Sequence, residues 1–170
     1  LADGEARLHK GVGLVADVFH ADVFRCLPGR TAIGHVLYST AGGSQALNAQ
    51  PIVVRYGGGD LAVAHHGNLT NAHDLKTQLV AEGAIFQTTS DSEVIVHLIA
   101  RSREVTIDGQ VADALSQLEG AFSLAITVDE VMYAVCDPRG YRPLVLGSLD
   151  GGHVIASETC ALDILGAKYV

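Results

Sequence analysis

The stretch Ala64-His65-His66-Gly67-Asn68-Leu69-Thr70-Asn71 carries the chain from a strand into a helix. Leu61–His65 has strand character. Asn71 is a good N-cap for a helix over Ala72–Glu82, in which Leu75 and Leu79 share a face and Gly83 supplies the stop. A strand that ends in two His, a Gly and an Asn exposes backbone N–H groups at a sheet edge, and such groups can hold an oxyanion. The same residues also make an ordinary turn, and spacing alone favours the turn. Because neighbours on a strand point to opposite faces, His65 and His66 cannot share an ion. With no Cys-x-x-Cys or His-x-x-x-His pair elsewhere, no metal site is expected.

Further segments of strand character lie on either side: Glu5–His9, Thr31–Tyr38 and Ile52–Arg55 before it, then Phe122–Val128, Val131–Cys136, Pro143–Leu146 and Val154–Ser157 after it. Between the two groups fall two more helical patterns. Ser90-Asp91-Ser92-Glu93 has the Ser-x-x-Glu spacing of a capping box, and Val94, Leu98 with Ile95, Ile99 repeat behind it at four-residue intervals. Gln110–Glu119 aligns Val111, Leu115 and Leu118 and stops at Gly120. Strands, then helices, then strands argue for an α+β fold over a regularly alternating parallel one. Phe122–Val128 and Val131–Cys136 are expected to pair antiparallel through a two-residue turn at Asp129-Glu130.

The 170 residues carry no linker, repeat or low-complexity tract, so they read as one domain with enough chain to bury a core. Nineteen acidic against eleven basic residues, a formal charge of −8, exclude a general affinity for nucleic-acid phosphates. The apolar runs, such as Val131–Cys136, fall far short of the roughly 20 residues a bilayer demands, so no membrane span is expected. Cys26, Cys136 and Cys160, an odd and widely spaced set, fit a reducing cytoplasm better than a disulfide scaffold. A start at Leu1 and an end at Val170 without a polar tail lead to the expectation of a piece cut from a longer chain.

Gly42-Gly43 and Gly57-Gly58-Gly59 lack the order of a phosphate-wrapping loop and are expected to be turns. Asp91, in the first turn of a helix, suits either a cap or a receptor for a substrate ammonium. Thr31–Gly42 reads as a strand running into a polar turn, with no chemistry assigned by spacing.

Taken in order, the motifs resemble those of the class II glutamine amidotransferase domain, most closely its amidophosphoribosyltransferase branch. Ile33-Gly34-His35-Val36-Leu37-Tyr38-Ser39-Thr40-Ala41-Gly42 is similar to that family's "IGHVRYxTAG", Asn48-Ala49-Gln50-Pro51 to its "NxQP", and Ala64–Asn71 to its "AHNGNLxN". Ile85–Glu93, Asp137-Pro138-Arg139-Gly140-Tyr141-Arg142-Pro143-Leu144 and Ala156-Ser157-Glu158-Thr159-Cys160-Ala161 continue the match over essentially the whole chain. The resemblance implies an N-terminal nucleophile hydrolase fold, a four-layer αββα sandwich, here lacking its opening segment. It implies a domain that hydrolyses glutamine for purine nucleotide synthesis and passes ammonia to a phosphoribosyltransferase domain of the same parent chain, with homo-oligomerisation expected and no cofactor in this domain.

In such a domain an N-terminal Cys attacks the glutamine amide, with its own α-amine as base. Carried over by position, Gly67 donates its backbone N–H to the oxyanion, Asp91 binds the glutamine α-ammonium, and Tyr38 and Thr40 line the pocket. Two positions depart from the pattern. Leu37 stands where the family's Arg grips the α-carboxylate, and His66 stands where its Asn offers a side-chain amide to the oxyanion. The nucleophile is not among the 170 residues, since Cys26, Cys136 and Cys160 all have acylated nitrogens. The alternative implied by these departures is a non-catalytic domain kept for assembly or regulation.

Overall fold

The computed structural model describes residues 5–37 and 46–170. Two short helices, α1 (Val15–Val18) and α2 (Ala21–Arg25), precede a 3-10 turn at Ala46–Asn48. β1 (Ile52–Tyr56) and β2 (Gly59–Leu69) follow, then α3 (Ala72–Ala81), α4 (Ser92–Arg101) and α5 (Ile107–Ser116). The chain closes with β3 (Gly120–Val128), β4 (Val131–Cys136), β5 (Val145–Leu149), β6 (Gly152–Ala156), α6 (Thr159–Leu165) and β7 (Lys168–Tyr169). The strands form two antiparallel sheets, in the orders β1-β2-β3-β4 and β6-β5-β7.

The first sheet owes its shape to turn chemistry and alternation. Gly57-Gly58 makes the two-residue turn between Tyr56 and Gly59, as the glycine run predicts. Val128 pairs with Val131 across Asp129-Glu130, the expected hairpin. Asp129 sits at φ +50°, outside the ordinary range for a non-glycine residue, and is held there from the neighbouring hairpin: its N–H donates to the Asp60 carbonyl and its Oδ1 accepts the Asp60 N–H, both at 3.1 Å. Leu61, Val63, Leu124, Ile126 and Val128 line one face and are fully buried. α4 lies on that face against β1 and β2, between α3 and α5, and buries Val94, Ile95, Val96, Leu98 and Ile99.

Several expectations need correction. Glu5–His9 is not a strand: only Glu5 makes a bridge, and the Ala6 N–H goes to Asp60 Oδ2 at 2.7 Å. Thr31–Leu37 is irregular although its pattern alternates, and Tyr38 lies outside the described residues. A pattern of β-branched residues becomes a strand only where a partner edge exists. β2 does not end at His65 but runs on to Leu69, because β3 accompanies it that far. Asn71 does not cap α3 with its side chain, which instead bridges to the Gln117 carbonyl and the Glu119 N–H. Ser90 and Glu93 form no reciprocal box: Glu93 accepts from the Gln87 and Thr88 N–H groups and from Thr88 Oγ1, each at 2.7 Å. The third helix begins at Ile107, ahead of Gln110, with Thr106 accepting the Gly109 N–H as N-cap. α1, α2, α6 and β7 carried no expectation, and the bounds of β5 and β6 lie one to three residues from the expected Pro143–Leu146 and Val154–Ser157. Among the described residues no helix is long and apolar enough to cross a membrane.

Asp60 joins the irregular N-terminal segment to the hairpin. The Arg55 guanidinium, with Nε at 2.6 Å and Nη2 at 3.0 Å, and the Ala6 N–H hold its carboxyl down to about 2. A carboxyl with a depressed folded value stabilises the protein above its unfolded value and loses that contribution as pH falls through the folded one. Chemical denaturation should therefore show stability falling from about pH 4 to about pH 2. Asp60→Asn should be less stable at neutral pH and show a flatter acid limb over that window.

Candidate functional site

β2 has neighbours of unequal length. β3 follows it to the end, Gly120 opposite Leu69, whereas β1 leaves it at the pair Ile52 and Val63. From Ala64 to Leu69 one edge of β2 faces no described strand. In an antiparallel strand every second residue turns its N–H and C=O to the same edge. His65 is one of these: its N–H donates to Gln50 Oε1 at 2.7 Å, and its carbonyl accepts Gln50 Nε2 at 3.3 Å and faces His35 Nε2 at 3.1 Å. Leu69 is another, its N–H donating to Asp91 Oδ2 at 3.2 Å.

Gly67 lies between them. Phe122, its partner on β3, donates its N–H to Asp137 Oδ2 at 3.2 Å and accepts the Asp137 N–H at 2.8 Å, both toward β4. Gly67 and Phe122 are thus the closely spaced, non-hydrogen-bonded kind of pair. By the same two-residue period as His65 and Leu69, the Gly67 N–H points into the open edge, with a carboxamide on one side and a carboxylate on the other. Gly67 takes φ +147°, and a Cβ there would run into the Ala121 carbonyl oxygen and lie 2.7 Å from Phe122 Cα. Only glycine fits this approach.

The N-terminus of α4 supplies the acidic wall. Asp91 Oδ1 accepts from Ser92 Oγ at 3.4 Å and lies 3.7 Å from His65 Nδ1. The side chain keeps 29% of its surface exposed, enough to receive a ligand's donor. His65 Nδ1 is 2.9 Å from Ser92 Oγ. The other ring nitrogen, Nε2, is buried and without a partner among the described residues. Burial pushes the His65 imidazole below its ordinary value, against the pull of the Asp91 carboxylate, and burial lowers His35 likewise. The shift favours the neutral form of both rings.

The structure brings Gly67 and Asp91 to one edge. His66 is exposed and projects to the face opposite His65. Leu37 is 54% exposed at the end of the irregular 31–37 segment, two residues beyond His35. Tyr38 and Thr40 lie outside the described residues. Among the described residues no group of three or more His, Cys, Asp or Glu side chains could hold a metal ion. Gln50, His35 and Ser92 were not singled out from sequence as site residues. Gln50 stood in a quoted motif with no role, and only the end of β1 at Ile52 reveals what its side chain meets.

A sequence model of the glutamine amidotransferase domain matches residues 39–163. The chain belongs to the glutamine amidotransferase family. It is 47% identical over 170 residues to an amidophosphoribosyltransferase of Bacillus subtilis (strain 168), covering 99% of this chain and 36% of that protein. It is 49% identical over 160 residues to the chloroplastic amidophosphoribosyltransferase 3 of Arabidopsis thaliana, covering 94% and 30%. Among solved structures, the B. subtilis glutamine phosphoribosylpyrophosphate amidotransferase complexed with ADP and GMP superposes with a TM-score of 0.88 at 45% identity, over 95% of this chain and 35% of that one. A structure described as the allosteric regulatory enzyme of purine biosynthesis gives 0.91 at 47%, with the same coverage. The chain thus spans about a third of the length of the relatives it matches. The N-terminal nucleophile hydrolase fold implied by the motifs is the fold of this chain, with α3–α5 and the first sheet as one pair of layers and β5–β7 with α6 as the other.

Gly67→Ala should be among the most damaging single-methyl additions in the chain. Strain at positive φ and the collision with β3 act together, so a loss of about 3 kcal/mol is expected in equilibrium denaturation. Ala121→Gly, which touches only the other side of the contact, should not recover it.

Proposed function

We propose that this domain binds glutamine with its side-chain carboxamide on the open edge of β2 and its α-ammonium on Asp91. The observation that carries this reading is the Gly67 N–H, turned outward between two occupied positions on the same edge. A preorganised backbone donor there is suited to the charge that develops on a carbonyl oxygen during acyl transfer, and needs no reorganisation to meet it. Asp91 stands at the next outward position, so one ligand can meet both. The chemistry needs no cofactor. Within a full-length amidophosphoribosyltransferase of purine nucleotide synthesis, a cysteine outside these 170 residues would attack the amide. The released ammonia would go to a phosphoribosyltransferase domain of the parent chain, in a cytoplasmic homo-oligomer.

Leu37 favours a second reading, a domain that keeps the fold for assembly or regulation. An apolar side chain at that position offers no bidentate partner to the α-carboxylate, and His66 presents a differently placed donor from the family's Asn.

The two readings separate by titration. Glutamine added to the 15N-labelled chain should shift the Gly67 and Leu69 amide signals, and Asp91→Asn should weaken that binding. Leu37→Arg should tighten it by about tenfold or more, as a charge-assisted bidentate pair is worth. No shift at Gly67 in either the natural chain or Leu37→Arg would defeat the glutamine reading. The 170 residues by themselves should release no ammonia from glutamine, because none of their three cysteines carries a free α-amine.

A further inference from the structure

Three outward-facing residues share the open edge of β2, and two of them are occupied by side chains of this protein. At Leu69 the occupant is a carboxylate, the kind of group that suits an N–H donor. At His65 it is a primary carboxamide, and it makes both bonds that a passing strand would make. Gln50 Oε1 accepts the N–H at 2.7 Å, and Gln50 Nε2 donates to the carbonyl at 3.3 Å. That is the same functional group as the side chain of glutamine, seated one outward position from Gly67.

We propose that Gln50 is a specificity-determining residue that plugs the His65 position of the edge, so that a substrate carboxamide has only the Gly67 position to enter. The proposal rests on the reading that glutamine is the ligand. Its physical basis is equivalence. A β-strand edge presents the same N–H and C=O pair every second residue, so it has no intrinsic register for a ligand that reads only those groups. A free carboxamide could pair with His65 as readily as with Gly67. Register then has to come from exclusion, and Gln50 excludes by offering in advance the group that would compete.

Gln50 is well anchored for this. It directly precedes Pro51 and β1, so β1 fixes its backbone on the strand that stops one pair short of the open edge. Two residues earlier, Asn48 donates from Nδ2 to Thr89 Oγ1 at 2.7 Å and accepts the Thr89 N–H at 3.1 Å. That pair ties the Gln50 segment to the loop leading into Asp91. His35 Nε2, also on the His65 carbonyl, closes the remaining approach.

Amide hydrogen exchange on the full chain tests the idea with acetamide as the probe. In the natural chain the His65 N–H should be protected and the Gly67 N–H should exchange freely. In Gln50→Ala the His65 protection should fall by about tenfold, roughly one to two ordinary hydrogen bonds, and acetamide should restore it in a saturable way. Glutamine, which shifts only the Gly67 end in the natural chain, should then shift His65 too. Gln50→Glu keeps the acceptor for the His65 N–H and should remain protected and indifferent to acetamide.

Equal protection of His65 and Gly67 in the natural chain would overturn the proposal without any variant being made, as would a Gln50→Ala chain that folds but shows no acetamide effect at His65. If glutamine shifts neither amide while acetamide still rescues His65, the glutamine reading fails and the plug stands. If glutamine binds at Gly67 and Gln50→Ala leaves that pattern unchanged, the plug fails and the glutamine reading stands.

Discussion

The candidate site depends on β1 being shorter than β2. Five residues of β1 run beside eleven of β2, and the mismatch leaves Ala64–Leu69 with one edge free. A free edge inside a protein is costly, because each unpaired N–H and C=O loses its water without gaining a partner. Here side chains rather than a strand meet that cost, Gln50 and His35 at His65, Asp91 at Leu69. Among the described residues the uncompensated position is Gly67, where a ligand can supply what the described structure does not. Gly67 also has to be glycine for an unrelated reason, the close approach of β3, so the residue most exposed to a ligand is also the one least free to change.

The groups on that edge are placed from far away in sequence. α4 is buried along most of its length, and its first turn delivers Asp91 and Ser92 to β2. The loop before it is held by Glu93, which reaches back to Gln87 and Thr88, and by Asn48, which reaches across to Thr89. An apolar helix with a polar, cross-linked entrance lets core packing set the position of a carboxylate to within hydrogen-bonding tolerance. Most of the polar contacts that define the site are side chain to backbone, so they fix the main chain itself and not merely the rotamers around it.

That pattern decides what could be read in the sequence. The helices α3 and α4 were legible because four-residue apolar repeats survive any environment, and the hairpin of β3 and β4 because two strand-like runs lie two residues apart. The capping roles of Asn71 and Glu93 differ from the spacing because each side chain meets other backbone groups, Asn71 far along the chain and Glu93 in the loop just ahead of its helix. Glu5–His9, past its one bridge at Glu5, and Thr31–Leu37 have strand patterns but no described strand to join, which no local window contains. Gly67 and Asp91 could be placed from motifs. Gln50 could not, since its role follows from where β1 stops and not from its neighbours in the chain.

The two departures from the family pattern take on a sharper meaning against this geometry. Gly67, Asp91, Gln50 and His65 together build the edge: Gln50, His65 and Asp91 make its bonds, and Gly67 leaves its N–H open. Leu37 and His66 are both exposed, and neither side chain makes a hydrogen bond within the described structure. The contributions that come from the backbone, or that hold the backbone, are intact. The two positions that depart from the resemblance carry exposed side chains instead. Substitutions of that kind alter affinity without altering the fold, because no buried group loses a partner when they occur. The architecture of the edge is therefore independent of the side chains that stand at positions 37 and 66.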